Sequence, residues 1–436
     1  MNCKIIYSLF VVQFFQLYTE GQSTGHGGTR YVVMFPDGNR PVTRAELLMS
    51  SLQDTEVRLT SGFPGIDRVL QLKANEGAVV SLPPEVVLDG NKREDKGIII
   101  ESDFPIYVYG HSGDDCCAGE GFQAIPVDFW GTEYYTATQY NSTVALVATE
   151  DDTEVSVTKG FWGGVTFESI YYGMGENITF NLTAGQTAQL QTPSGYLLGT
   201  RVYSSKPVGV ISGQYYASPS SRRAKFNQMI EFIPPSRSLG TDFIIPPVFN
   251  STYINIYYSN LGVDNVISTK GKNVNLSSKL QRRGGSRITA GAANPYHGSS
   301  TEPIIVTASP LTISPFMLFV PSLDQYSNNY KFLTPTKANL THYIVILVRS
   351  QDENGIRLDG DKIYSKIEGV DVLLINEVIY LVISAEVSAG QHQVSHQDPN
   401  VNFGLILYGF DDTQSYAYPA GLGLPSASSP AAVMPL

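Results

Sequence analysis

The amino-acid sequence predicts an all-β protein built from tandem β-sandwich-like modules that arise from internal repeats. Residues 124–136 and 232–248 follow one pattern: Ile-Pro, a short spacer, Gly-Thr, an acidic residue and then an aromatic residue. The two Gly-Thr pairs begin at Gly131 and Gly240. Polar and glycine positions match as well as apolar ones, which is typical of a repeated structural unit.

Two further segments recur along the chain. Asp54-Thr-Glu-Val-Arg-Leu-Thr is matched by Asp152-Thr-Glu-Val-Ser-Val-Thr, and weaker copies begin at Asp264 and Glu353. A second segment recurs at residues 103–110, 206–213 and 402–409, ending in glycine each time, and prolines place a further copy near residues 311–320. Short apolar runs, turn residues and alternating polar and apolar positions indicate β-hairpins.

Composition favours the same fold class. Hydrophobic residues make up 42% and charged residues 16% of the 436 residues, which permits full hydrophobic cores. The 26 tyrosines and 20 phenylalanines favour strands, while 40 glycines and 25 prolines favour turns. No segment keeps a 3.6-residue period over three turns, so we expect no long helix.

The repeats divide the chain into four β modules and a tail. The predicted module limits are 28–127, 128–235, 236–321 and 322–421. Module 1 opens with a strand at residues 31–35, and residues 46–52 form a strand or one helical turn. The Pro/Ala/Ser-rich residues 422–436 are predicted to be a disordered tail.

Residues 1–21 are predicted to be a secretory signal peptide. Lys4 precedes an apolar run at residues 5–17, and Thr19 and Gly21 are small residues at the cleavage positions. A membrane anchor is the alternative, but the run is shorter than the about 18–20 residues that a span needs. We therefore expect a secreted, extracellular protein without a membrane span.

The formal net charge of −11 disfavours nucleic acids and anionic membranes as partners. Two arginine pairs, Arg222-Arg223 and Arg282-Arg283, are local exceptions. We predict that they lie in solvated surface loops, with protease cleavage in flexible loops as the alternative.

Cys116 and Cys117 are the cysteines that remain after removal of the signal peptide. Adjacent Cα atoms lie about 3.8 Å apart, which is less than the roughly 4.4–6.8 Å of most disulfides. A vicinal disulfide would therefore be strained and easily reduced. We predict it ahead of an intermolecular disulfide or two free thiols.

Six N-glycosylation sequons mark candidate glycan sites in a secreted chain. Their asparagines are Asn141, Asn177, Asn181, Asn250, Asn275 and Asn339. In residues 177–183 a period of two places Ile178, Phe180 and Leu182 on one face and both asparagines on the other. The pattern predicts a strand whose glycans leave from its solvent side.

Motifs for catalysis or metal binding are not evident in the sequence. It contains no Gly-x-Ser-x-Gly, His-Glu-x-x-His or P-loop motif. His392 and His396 have the spacing of metal ligands on a helix, but their neighbours favour a loop. The acidic residues 352–361 lack EF-hand spacing and indicate a hairpin turn. We expect a protein that is not an enzyme and that binds no metal or cofactor.

Four stretches together resemble the N-terminal domain family of IgGFc-binding protein. They are residues 131–135, 199–213, 233–247 and 416–421, and the resemblance extends over about residues 28–422. It implies a secreted or mucus-associated protein with a binding, adhesive or innate-defence role. Residues 214–228 contain no cysteine, unlike the family pattern, and the resemblance assigns no Fc-contact residue.

The predicted function is therefore a secreted, non-enzymatic glycoprotein that binds an extracellular protein or glycan. One alternative is a carbohydrate-binding or carbohydrate-active protein, in which Trp130 and Trp162 stack on sugar beside Asp128 and Glu133, although a core role fits Trp130 better. Another is an adhesive matrix component whose chains are joined through Cys116 and Cys117.

Overall fold

The computed structural model describes residues 27–38, 42–114, 119–160, 163–217, 227–249, 251–312, 314–335 and 340–426. Within these ranges the regular structure consists of β-strands and six short 3₁₀ turns. The prediction of an all-β chain of sandwich-like modules is confirmed. The strands fall into four units, which we name by their residues: unit 1 (28–123), unit 2 (131–232), unit 3 (242–319) and unit 4 (329–419).

Units 1 and 2 contain the first seventeen strands. Unit 1 has β1 (Gly28–Val33), β2 (Arg44–Ser51), β3 (Thr55–Ser61), β4 (Asp67–Leu72), β5 (Gly77–Leu82), β6 (Arg93–Glu94), β7 (Ile98–Gly113) and β8 (Gly119–Gln123). Unit 2 has β9 (Gly131–Tyr135), β10 (Tyr140–Ala148), β11 (Thr153–Thr158), β12 (Val165–Phe167), β13 (Ile170–Tyr172), β14 (Asn177–Leu182), β15 (Thr187–Tyr196), β16 (Arg201–Ala217) and β17 (Asn227–Phe232).

Units 3 and 4 contain the remaining strands. Unit 3 has β18 (Asp242–Ile245), β19 (Tyr253–Asn260), β20 (Asn265–Gly271), β21 (Val274–Leu280), β22 (Gly285–Gly291), β23 (Tyr296–Ser300), β24 (Ile304–Pro310) and β25 (Leu318–Phe319). Unit 4 has β26 (Asn329–Leu333), β27 (Thr341–Arg349), β28 (Ile356–Leu358), β29 (Asp361–Lys362), β30 (Ile367–Ile375), β31 (Val378–Val387), β32 (Gln391–His396), β33 (Gly404–Phe410) and β34 (Ser415–Pro419).

Three of the 3₁₀ turns link one unit to the next. They are η2 (Val127–Phe129), η3 (Ser236–Ser238) and η4 (Leu323–Gln325), and the other turns are η1 (Pro84–Val86), η5 (Glu353–Gly355) and η6 (Ile363–Lys366). The predicted module limits at 127/128, 235/236 and 321/322 lie within or beside the linking turns.

All four units share one plan of antiparallel pairing. Counted without the additional strands β6, β12, β13 and β30, the second strand of each unit pairs with the fifth, as β2 does with β5, β10 with β15, β19 with β22 and β27 with β31. The third strand pairs with a short fourth strand, as β11 does with β14 and β20 with β21. A sixth strand contacts the first, second, third and last strands, so it holds each unit together.

The sixth strand explains how each unit becomes a two-sheet sandwich. In units 1 and 2 it is one long strand, β7 with 16 residues and β16 with 17, which joins both sheets. In units 3 and 4 it is split into β23 and β24, and into β32 and β33, so two separate sheets result. Alternating apolar side chains from both sheets then fill the space between them.

The units pack against one another in a closed ring. The last strands β8, β17, β25 and β34, which we call the hub strands, lie next to each other. The Phe319 amide donates to Glu231 Oε1 at 2.8 Å, linking units 3 and 2. Ser415 Oγ of unit 4 donates to the Ser314 carbonyl beside unit 3 at 2.8 Å, and Tyr109 of unit 1 donates to the Ala420 carbonyl at 2.7 Å. The fourth unit therefore returns to the first.

A buried tyrosine ties the start of a unit to its sixth strand. The Gly131 amide donates to the Tyr134 hydroxyl at 2.9 Å, which in turn donates to the Val208 carbonyl at 2.6 Å. In the same way, the Ser327 amide donates to the Tyr330 hydroxyl at 2.8 Å, which in turn donates to the Phe403 carbonyl at 2.5 Å. Tyr31 donates to the Ile106 carbonyl in the same way. The repeat found at Gly131 therefore has structural counterparts at residues 28 and 327.

Several local predictions can be compared with the strands. The alternation in residues 177–183 is confirmed, because β14 buries Ile178, Phe180 and Leu182 and exposes the asparagines. The recurring sixth strand of unit 3 was wrongly placed near residues 311–320; it is β24, which ends at Pro310, a residue that cannot donate a ladder hydrogen bond. Residues 46–52 belong mainly to β2, and no helical turn forms there.

Candidate binding cleft between units 2 and 3

Two adjoining cavities of about 360 and 350 Å³ form a cleft where unit 2 faces unit 3. They share four lining residues, Gln139, Tyr140, Tyr257 and Arg287. Tyrosine, amide, hydroxyl and arginine side chains predominate along its polar wall, with Met229, Leu311 and two prolines supplying apolar contacts. Such a lining suits a partner that offers both flat apolar surface and hydrogen-bonding groups.

A cross-strand tyrosine pair forms the unit 2 side of the cleft. Tyr140 and Tyr196 lie opposite each other at the end of the β10–β15 ladder, with ring centroids 5.3 Å apart. Both are about two-fifths exposed, at 44% and 40%. The ladder register shifts between Tyr140 and Ser142, where Asn141 takes a left-handed conformation with φ of 59°. This bulge aims the pair toward unit 3 and away from the core.

Asn141 holds the bulge in place through its side-chain amide. Its Nδ2 donates to the Tyr216 carbonyl at 3.0 Å, and its Oδ1 accepts from the Ser194 amide at 3.1 Å. Asparagine is well suited to this position, since it tolerates the left-handed region and bonds local backbone groups. The asparagine of this sequon is therefore part of the cleft wall.

Unit 3 contributes a tyrosine and an arginine from neighbouring strands. Tyr257 of β19 pairs with Arg287 of β22, and the next pair on that side joins Thr289 Oγ1 to Asn255 Oδ1 at 2.7 Å. Burial raises the pKa of Tyr257, and the nearby Arg287 opposes that rise. The Tyr257 hydroxyl therefore stays protonated and can donate a hydrogen bond in the neutral pH range.

Other sequence-predicted site residues that the structure describes lie away from the cleft. Asn177, Asn181 and Asn275 are exposed on strands β14 and β21. Cys116, Cys117, Asn250, Asn339, Trp162 and the Arg222-Arg223 pair lie outside the described residues. Trp130 is buried, packs against the tilted ring of Phe232 with centroids 5.8 Å apart, and its Nε1–H donates to the Ile125 carbonyl at 2.8 Å. The core role of Trp130 is confirmed, and its stacking on sugar is not compatible with this burial.

The histidine pair occupies a strand and not the predicted loop. His392 and His396 lie on β32. His392 Nδ1 is 2.8 Å from Asp359 Oδ2, and His396 Nε2 is 2.8 Å from the Asp352 carbonyl oxygen. In the described residues, no three His, Cys, Asp or Glu side chains come together in a way that could hold a metal ion. The acidic segment forms the predicted hairpin, with a turn at Asp359 and Gly360.

Sequence reasoning missed two glutamates in the hub strands. Glu120 and Glu231 are each 1% exposed. Desolvation raises the pKa of Glu120 well above its usual range, and Glu231 adds to the rise. Desolvation likewise raises the pKa of Glu231, while the Phe319 amide opposes it. Each glutamate lies among apolar or glycine residues in a short strand. This sequence pattern is the signal that could have identified both as buried.

The sequence profile described as IgGFc binding protein matches residues 120–409, from the hub strand β8 to β33. The chain belongs to the IgGFc-binding protein family. The match extends over units 2 and 3 and most of unit 4, and it confirms the resemblance inferred from the motifs. As a member of this family, the chain is a binding protein. No helix in the described part of the chain has the length and hydropathy needed to cross a bilayer.

Other comparisons add little to the family assignment. None of the curated proteins matches the chain. A Ca²⁺-stabilized adhesin with which an Antarctic bacterium binds ice is 8% identical, over 91% of this chain and 99% of the adhesin, with a TM-score of 0.12. Trypsin-activated alpha-2-macroglobulin from Escherichia coli is 9% identical, over 90% of this chain and 34% of that protein, also with a TM-score of 0.12. These likenesses are too weak to carry an argument.

Proposed function

We propose that this chain is a secreted, non-enzymatic glycoprotein that binds an extracellular protein through the cleft between units 2 and 3. The observation that carries the proposal is the convergence of Tyr140, Tyr196, Tyr257 and Arg287 at one junction. Tyrosine and arginine dominate the energetics of protein interfaces, because they combine large contact area with directed hydrogen bonds. Membership of the IgGFc-binding protein family supports a protein partner.

Secretion is supported by the amino-terminal signal pattern and by the position of three sequons. Asn177, Asn181 and Asn275 all lie on exposed strand faces, where a glycan would extend into solvent. A binding role without catalysis is supported by the burial of Glu120 and Glu231. These carboxyl groups have strongly shifted pKa values, yet a substrate could not reach them.

A glycan partner is the second candidate. The Tyr140–Tyr196 pair is exposed and flanked by Gln139, Gln214 and Asn255. Aromatic faces beside amide side chains can stack on a sugar ring and bond its hydroxyls. The adhesive-matrix alternative depends on Cys116 and Cys117 and stays a prediction.

A comparative pull-down would test the proposal. The secreted full chain, Tyr140→Ala/Tyr257→Ala and Tyr171→Ala would be used as baits in mucus or body fluid, with purified immunoglobulin G Fc as a separate ligand. Tyr171 is a suitable control because it is 69% exposed on the β13 hairpin and does not line the cleft. We expect wild type and control to bind the same secreted protein, and the cleft variant to bind it about tenfold more weakly.

Two outcomes would count against this function. If wild type recovers no partner, the proposed binding function is contradicted. If all three baits recover the partner equally, the cleft is not the binding site. Loss of binding after enzymatic deglycosylation of the partner would favour the glycan candidate over the protein one.

A further inference from the structure

We propose that Arg201, Arg282 and Arg283 form a site for a carboxylate-bearing sugar at a second cavity between units 2 and 3. This cavity measures about 340 Å³ and is lined by Glu133, Tyr135, Arg201, Gly262, Arg282 and Arg283. Three arginines and one glutamate line it, in a chain whose formal net charge is −11. The cavity is therefore a local positive region on an acidic protein.

Unit 2 holds Arg201 in a defined position. Arg201 lies opposite Tyr135 in the β9–β16 ladder, and its Nε is 2.6 Å from Glu133 Oε1. Its guanidinium carbon also lies 5.3 Å from the centroid of the Tyr203 ring. An arginine fixed by an ion pair and an aromatic face loses little conformational entropy when a ligand binds.

Unit 3 holds the other two arginines in a tight turn between β21 and β22. The Arg283 amide donates to the Leu261 carbonyl at 2.6 Å, and the Arg282 amide donates to Asp264 Oδ1 at 3.2 Å. The turn also packs against unit 2, because a Cβ at Gly199 would come within 2.0 Å of the Arg283 carbonyl oxygen. The site is consequently assembled by the contact between the two units.

The other units show that this turn does not need arginine. The same turn contains Asn75 in unit 1 and Gly185 in unit 2, each with positive φ and with its amide bonded to the end of the second strand, as that of Arg283 is. Arg283 has φ of 53°, in a region that asparagine and glycine occupy at lower cost. An unfavoured residue in a repeated turn, where two sister units have a favoured one, points to a role in binding.

The available groups define the class of ligand. Within the described residues, the side chains of Arg282 and Arg283 make no hydrogen bond or ion pair, so their donors can serve a ligand. A planar guanidinium matches a carboxylate with two parallel hydrogen bonds. Glu133 can accept from sugar hydroxyls, and the Tyr135 hydroxyl can bond them as well. Glu133 also disfavours ligands of high negative charge, which selects a single carboxylate.

The position of Tyr135 agrees with this arrangement. Burial is the main reason why the pKa of Tyr135 is raised, and Glu133 adds to the rise, while Arg201 and Arg283 act in the opposite direction. Groups from both units therefore act on one hydroxyl in the cavity lining. A ligand that bonds Tyr135 would be within reach of arginines from both sides.

The test measures binding of sialic acid and glucuronic acid to the full chain by ligand-detected NMR. Arg282→Gln/Arg283→Asn removes both cations that unit 3 contributes to the cavity, and it places in the turn the residue that unit 1 has at Asn75, so the variant is expected to fold. Wild type should bind an acidic sugar with a dissociation constant on the order of 1 mM or tighter. The variant should bind at least about tenfold more weakly with an unchanged melting temperature.

A control variant tests for nonspecific attraction by charge. Arg58→Gln, at an exposed ion pair in unit 1, should leave acidic-sugar binding unchanged. Equal binding by wild type and the double variant would overturn the proposal. So would equal binding of the uncharged parent sugar, tighter binding of a sulfated sugar, or no binding to wild type.

Discussion

Gly131 lies directly against Pro235, so that a Cβ added at Gly131 would come within 2.6 Å of the Pro235 Cβ. The same contact recurs around the ring: Gly28 faces Pro126 at 2.5 Å and Gly240 faces the Ser322 side chain. In each case the glycine lies at or just before the first strand of one unit, and the residue it contacts is the N-cap of the 3₁₀ turn that leads into the next unit. The repeated glycine thus sets how closely consecutive units approach.

Replacement of Gly131 by alanine should destabilise the chain by about 1–3 kcal/mol, because Pro235 belongs to a constrained turn and cannot move aside easily. Denaturant unfolding of the full chain would measure the change. Gly369→Ala is the matched control, since nothing lies within 4 Å of a Cβ at that position, and its effect should stay within about 0.5 kcal/mol. Equal effects of the two substitutions would contradict the packing role of Gly131.

Loss of the Tyr134 hydroxyl should also destabilise the fold. In Tyr134→Phe, the Gly131 amide and the Val208 carbonyl would both lose a buried partner. We expect a cost of about 2 kcal/mol or more, since each unpaired buried group carries its own desolvation penalty. Thermal and denaturant unfolding would check this against Tyr203→Phe, whose ring is 48% exposed. A variant as stable as wild type would show that water replaces the hydroxyl.

The hub glutamates should make stability depend on pH. Desolvation raises the pKa of both Glu120 and Glu231 above the usual 4.5. The folded chain then retains protons that the unfolded chain releases, so this contribution is complete below about pH 4.5 and is lost as pH rises toward the folded pKa. Glutamine does not titrate, so Glu231→Gln does not lose this contribution. Its unfolding free energy minus that of wild type should therefore increase between about pH 5 and about pH 8. Glu154→Gln, a substitution at an exposed residue, is the control, and its difference in unfolding free energy from wild type should not change with pH. A pH-independent difference for Glu231→Gln would contradict the role of the hub glutamates.

An exposed edge strand in unit 4 should promote self-association. Val372 and Leu374 on β30 are 65% and 66% exposed, and β30 lies at the edge of its sheet. Long apolar edge strands tend to pair with other chains. Val372→Lys/Leu374→Lys should reduce association measured by light scattering at high protein concentration, with little change in unfolding free energy. Val69→Lys, at a single exposed valine on β4, should not reduce association. An equal reduction by both variants would contradict a specific role of β30 in self-association.

Glycan occupancy should differ among the sequons. The Nδ2 atom of Asn141 is the attachment atom, and it donates to the Tyr216 carbonyl inside the cleft wall. Asn177, Asn181 and Asn275 are exposed on strands. In protein from a secreting eukaryotic host, we expect glycan at these three sites and an unmodified Asn141, as determined by glycopeptide mass spectrometry. Full occupancy of Asn141 in folded protein would contradict the bonding described for the cleft.

The sequence predicted the strands better than the sites. Polar and apolar residues alternate clearly in residues 177–182, so the local sequence alone predicts which face of β14 is buried and which is exposed. The repeat was recognised at Gly131 and Gly240 but not at Ser327, since at Ser327 both the glycine and the threonine have changed while the Tyr330 bonds persist. Tyr140, Tyr196 and Tyr257 could not be grouped in advance, because a ladder register and a contact between units bring them together.

By itself, the order of residues determined the all-β class, the repeated unit and the family, because side-chain alternation, turn residues and motif spacing are local properties. Tertiary structure alone decided that the fourth unit returns to the first, that Glu120 and Glu231 are buried in the hub strands, and that Arg282 and Arg283 line one cavity with Arg201. A period of two specifies which face of a strand is buried but not which distant segment covers it. That choice depends on the shape and charge of surfaces that meet only after each unit has folded.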